Sequence, residues 1–181
     1  LDIDALSTTA VFENEQIRLK AVFTSPVIAD DYRLLTRPVT YLEVSYEILD
    51  GKDHSVTVNV AANEELCLDE GGQNDVVTEK VEFGKVKGMK MGNSEQKPLN
   101  RSGDDVRIDW GYFYLMTDAE NAEIFENKIW SDVHVNISSE LNPSEKLMYY
   151  FAYDDIESIE YFGAHLRSYW NKDGPTILEA I

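Results

Sequence analysis

Five charged side chains stand within nine residues: Arg101, Asp104, Asp105, Arg107 and Asp109 surround the turn pair Ser102-Gly103 and lead into Trp110. Carboxylates this dense can gather a hard cation, or serve as acid and base in a hydrolysis. Their spacing does not fit an EF-hand loop, and no metal or other cofactor is expected. Two readings remain for the segment. One is a turn with a salt-bridged strand end; the other is a charged loop at the mouth of a site, with Arg101, Asp104, Asp105, Arg107, Asp109 and Trp110 near substrate.

The remaining reactive side chains are scattered. His54, His134 and His165 show no HExxH-type spacing, and the single Cys67 admits neither a zinc cluster nor an internal disulfide. Cys67 reads as a small buried hydrophobe. No GxSxG elbow, Walker loop or GxGxxG is present. Asp154-Asp155 could form a carboxylate pair, but capping a helix start explains them more simply. Asn136-Ile137-Ser138 fits a glycosylation acceptor inside a strand pattern. Trp110, Tyr112, Tyr114, Tyr149, Tyr150 and Tyr153 suit a sandwich core better than a carbohydrate-stacking face.

The elements that would position these groups are mostly strands. Val106, Ile108, Trp110, Tyr112, Tyr114 and Met116 alternate, predicting a strand over 106–116 that runs from a polar edge into a covered interior. Alternation also predicts strands over 5–12, 17–24, 39–49, 56–60 and 133–137, with Asp50-Gly51 joining two of them as a hairpin. Residues 76–83 and 86–91 are weaker strands about Gly84; 64–68 is another candidate, and 118–127 is acidic and mildly helical. Residues 146–153 are apolar on both faces and should be central.

The period then changes. Ile156, Ile159, Phe162, Leu166, Tyr169 and Trp170 form a stripe at 3.6 residues per turn, predicting a helix over 155–170 docked on the strand before it, with Ile159, Phe162 and Leu166 buried. Residues 176–181 read as the first turn of a further helix. The expected organisation is an antiparallel β-sandwich with a C-terminal α-helix. The sandwich takes residues 1–154, the docked helix 155–170, and a linker with the start of a truncated helical domain 171–181.

At 181 residues, with 43% hydrophobic and 11% aromatic side chains, the chain can bury a real core. Thirty-four acids against 16 bases give a net charge of −18. That excess argues against nucleic acid and anionic membranes, since phosphate binding needs clustered Lys and Arg. No apolar run reaches the ~20 residues needed to span a bilayer, so no membrane insertion is expected. The start, LDIDALSTTA, lacks a basic segment and an apolar segment, and reads as the start of an excised or mature piece.

Three segments carry a resemblance. SPVIADDYRLLTRPVTYLEVSYEILDGKDHSVTVNV (25–60), KPLNRSGDDVRIDWGYFYL (97–115) and YDDIESIEYFGAHLRSYWNKDG (153–174) resemble, in that order, the N-terminal β region of the glutaminase A family of bacteria and fungi. The resemblance implies a β-sandwich preceding an all-helical toroidal catalytic domain, in secreted, periplasmic or cell-envelope enzymes that hydrolyse glutamine to glutamate and ammonia. On that basis the chain is a non-catalytic domain, inactive alone, whose partner is the C-terminal α-helical domain of the same polypeptide. No catalytic residue carries over. Two other readings stand beside it: a carbohydrate-binding module or accessory domain of a glycoside-hydrolase-like enzyme, and a self-contained hydrolase using Asp104, Asp105 or Asp109.

Overall fold

The computed structural model describes residues 1–181. In chain order its elements are β1 (Asp2–Ile3), β2 (Ser7–Glu13), β3 (Ile17–Thr24), α1 (Tyr32–Thr36), β4 (Val39–Ile48) and β5 (Val56–Asn63). After a 3-10 turn at Glu64–Leu66 come β6 (Val76–Phe83), β7 (Val86–Asn93), β8 (Tyr112–Thr117), β9 (Glu123–Ile129), β10 (Asp132–Leu141) and β11 (Leu147–Asp154). The chain ends with β12 (Ile159–Tyr161), β13 (Ala164–Leu166), a 3-10 turn at Tyr169–Asn171 and α2 (Ile177–Ala180).

An eight-stranded sheet in the order β1-β2-β3-β4-β11-β8-β7-β6 faces a three-stranded sheet, β5-β10-β9, and all pairings are antiparallel. The main core lies between them. Leu42, Val44, Met91, Leu115 and Tyr149 of the large sheet meet Ala62, Val135, Ile137 and Leu141 of the small one. The β-sandwich is thus the architecture that the alternating runs predict, and a short C-terminal helix is present at Ile177–Ala180.

β11 sits in the middle of the large sheet, between β4 and β8, as its two apolar faces require. One face enters the main core through Tyr149. The other, with Ala152, joins Val39, Tyr114 and Met116 under Trp170 and Ile177 from the C-terminal segment. α2 starts with a capping box, in which the Thr176 hydroxyl accepts from the Glu179 N–H and the Glu179 carboxylate accepts from the Thr176 N–H.

Several expectations are corrected. Residues 155–170 form no helix; they make the hairpin β12–β13, paired Ile159↔Leu166 and Tyr161↔Ala164. Ile159, Phe162 and Leu166 are all solvent-exposed. The helical stripe fails because Phe162 and Gly163 both take positive φ, 49° and 80°, and turn the chain back on itself. Only Trp170, from the end of that stripe, is buried on the sheet.

The runs flanking Asp50-Gly51 do not pair with each other. β4 lies in the large sheet and β5 in the small one, so the turn is an arch between layers. The arch is tied by His54, whose Nε2 lies 2.8 Å from Asp50 Oδ1, and by the Tyr46 hydroxyl donating to the His54 carbonyl at 3.1 Å. Each strand there is apolar on the face toward the core, so both sheets can use the same pattern.

Residues 118–127 are not helical, and β9 begins at Glu123. Residues 64–68 hold a 3-10 turn, not a strand.

Candidate functional site

A fifth correction concerns the charged segment. The strand expected over 106–116 starts only at Tyr112, and residues 101–111 form a loop. Val106 and Ile108, assigned to its apolar face, are exposed. Gly111 sets the boundary: its φ is +82°, and a Cβ there would lie 2.2 Å from the Asp154 carbonyl oxygen. Only glycine allows β8 to begin so close to the end of β11.

The loop divides into a fixed part and a free part. Arg101 bridges two carboxylates, donating through Nη2 to Asp69 and through Nη1 to Asp109 Oδ2 at 3.3 Å. Asp69 also accepts the Arg107 backbone N–H at 2.7 Å. Asp109 is buried, and its Oδ2 takes a second bond from Gln73 Nε2 at 2.8 Å. Its backbone carbonyl accepts from Asn93 Nδ2 at 2.9 Å. Next along, the buried Trp110 donates its indole N–H to the Glu157 carbonyl at 3.1 Å, and its own carbonyl accepts from the Tyr153 hydroxyl at 2.7 Å. Gln96 closes the end, accepting from the Gly111 N–H at 2.6 Å.

Asp104, Asp105 and the Arg107 side chain lie exposed on the outside of this knot, with no hydrogen bond or ion pair. The six expected residues are therefore split. Arg101, Asp109 and Trp110 are tied down by side-chain hydrogen bonds, while the side chains of Asp104, Asp105 and Arg107 are exposed and make none. Both bonds fall on Oδ2, from the guanidinium and the amide, so Asp109 acts as an acceptor that ties the loop to Gln73 and Arg101. No group of three or more His, Cys, Asp or Glu side chains is arranged to hold a metal ion.

Asp69, Gln73, Asn93 and Gln96 were missed from the sequence. They lie in the stretch of weakest alternation, where Gly71-Gly72 and Ser94 break the pattern, and nothing local marks their pairing with residues 101–111. A polar groove of about 820 Å³ opens beside them, lined among others by Gln73, Asn74, Ser94, Glu95 and Lys128.

The other candidates resolve as structure. Asp154 Oδ1 accepts from the Ile156 N–H, and Asp155 Oδ2 accepts from the Ser158 hydroxyl at 2.5 Å, so the pair caps a turn and not a helix. His165 Nδ1 sits 2.6 Å from Glu157, across the exposed hairpin. Cys67 is fully buried, its thiol donating to the Met91 carbonyl, and burial pushes that thiol up to about 12. Of the aromatic set, Trp110, Tyr114 and Tyr149 are buried and Tyr112, Tyr150 and Tyr153 half-buried, which makes them core. No helix is long and apolar enough to cross a membrane.

Comparison with known proteins gives two matches. A family model described as "Domain of unknown function (DUF5127)" matches residues 6–136. Glutaminase A of Aspergillus oryzae (strain ATCC 42149 / RIB 40) is 27% identical over an alignment of 131 residues, which covers 67% of this chain and 18% of that protein. The chain thus spans under a fifth of this relative's length. The family match takes in β2 to β9, the first half of β10 and the loop 101–111.

Proposed function

This chain belongs to the DUF5127 family, and from that premise we propose that it is the non-catalytic β-sandwich domain of a glutaminase-type amidohydrolase. It would support a separate helical catalytic domain of the same polypeptide. The observation that carries the reading is the similarity to a glutaminase of which the shared segment is only 18%. Hydrolysis of a carboxamide needs a nucleophile or activated water, a base and an oxyanion site held together. Here the charges that lie close together, Arg101, Asp69 and Asp109, are spent on one another, which supports a scaffolding role. The proposal extends to location outside the cytoplasm, either secreted, periplasmic or in the cell envelope; fractionation of the source cells tests it.

The test of function compares the whole polypeptide with a version lacking residues 1–181. The whole should hydrolyse glutamine, and the truncated version should lose activity through misfolding or instability. A truncated version that is both well folded and fully active would remove the supporting role.

A further inference from the structure

The β12–β13 hairpin is exposed along its whole length, on both faces, yet it carries Ile159, Tyr161, Phe162 and Leu166. A two-stranded hairpin with no sheet or helix against it is marginal in water. Phe162, at its tip, is 93% exposed and stacks edge-on only with Tyr161, at 4.6 Å between ring centroids. Its backbone is also left-handed, at φ 49°, a conformation unfavourable for a bulky residue. Exposed apolar area and backbone strain at one point favour a surface that something else covers.

The hairpin is aimed, not loose. At its base Trp110 holds the Glu157 carbonyl, the Ser158 N–H donates to the Leu166 carbonyl at 2.9 Å, and the Ser158 and Ser168 hydroxyls are bonded at 2.5 Å. The same end of the sandwich carries a second such residue. Trp130, in the two-residue turn between β9 and β10, is 98% exposed at φ 61°. Its neighbour Ser131 lines the groove shared with Ser94 and Glu95, just beyond the end of β7.

We infer that the β12–β13 hairpin, led by Phe162, is the docking element for an apolar face of a further domain of the same polypeptide, with Trp130 as a second contact at that end. This rests on the functional reading above. Three observations favour that occupant over a second copy of the chain. The relative's shared segment leaves most of its length for other domains, and the hairpin lies beyond the family match at 6–136. Two copies would each bring a net charge of −18 to the contact.

Hydrogen exchange read by mass spectrometry tests the inference on peptides covering 156–168, in this chain and in the polypeptide encoded by the whole reading frame. In this chain the hairpin should exchange fast; in the whole polypeptide it should be protected at least ~100-fold. Phe162→Ser should abolish that protection without shifting the unfolding midpoint of this chain. Equal exchange in both proteins overturns the inference, as does a reading frame that ends with this chain. Concentration-dependent dimerisation of this chain, abolished by Phe162→Ser, overturns the choice of occupant. The two readings fail separately. An unprotected hairpin in a polypeptide that hydrolyses glutamine removes the docking alone, whereas a protected hairpin in one that leaves glutamine untouched removes the functional reading and keeps the docking.

Discussion

The indole N–H of Trp110 donates to the backbone carbonyl of Glu157 at 3.1 Å, joining the charged loop to the base of a hairpin 47 residues away in sequence. Trp110 is buried and Glu157 half-buried, so this bond is partly sheltered from water. Trp110→Phe keeps most of the packing and should lose about 0.5–1.5 kcal/mol. Trp110→Ala also opens a cavity and should lose about 3–5 kcal/mol. Urea unfolding of both variants separates the bond from the packing.

Arg101 should matter more than an ordinary surface charge. Such pairs contribute ~0–1 kcal/mol, but the Asp69 and Asp109 side chains that it joins are only 8% and 11% exposed. Removing the guanidinium leaves two sheltered carboxylates without their shared partner. Arg101 itself is 37% exposed, so the full cost of breaking a buried pair does not apply. Arg101→Ala should cost about 1–3 kcal/mol, whereas Asp104→Ala and Asp105→Ala should stay within about 0.5 kcal/mol of the parent in chemical denaturation.

Gly111 admits no side chain. Gly111→Ala forces alanine to φ +82° and drives its Cβ into the Asp154 carbonyl. The strain and the displaced backbone should together cost about 3 kcal/mol or more. A melting curve within a few degrees of the parent would show that β8 and β11 can separate there.

The Glu179 carboxyl is held below its ordinary value of 4.5, first by the Thr176 backbone N–H and then by the Thr176 hydroxyl. A carboxylate with a lowered folded pKa adds stability that is present above the unfolded value and lost as pH falls through the folded one. The capping box should therefore hold above about pH 4.5 and weaken below it. The Glu179 side-chain NMR titration should show a midpoint under 4.5, and Glu179→Gln should erase the associated fraying of α2.

The limits of the sequence reading have physical causes. Val39–Ile48 and Leu147–Asp154 were legible as strands because their alternation reflects a face buried against a partner layer. Which strand pairs with which was not. The same inward pattern serves β4 and β5 whether they share a sheet or face each other across the core, so Asp50-Gly51 looked like a hairpin. The stripe from Ile156 to Trp170 matched a helix because apolar residues three and four apart also arise when a short hairpin exposes some and buries another. The charged loop was visible as charge. Its division into a bonded half and a free half was not, because Asp69, Gln73 and Asn93 reach it from distant positions.

The most direct measurement is ammonia release from glutamine by this purified 181-residue chain. The account predicts no turnover above the buffer control, since Arg101, Asp69 and Asp109 are bonded to one another and no nucleophile and base are held together beside them. Steady ammonia release that vanishes in Asp105→Asn, with the variant still folded, would contradict it.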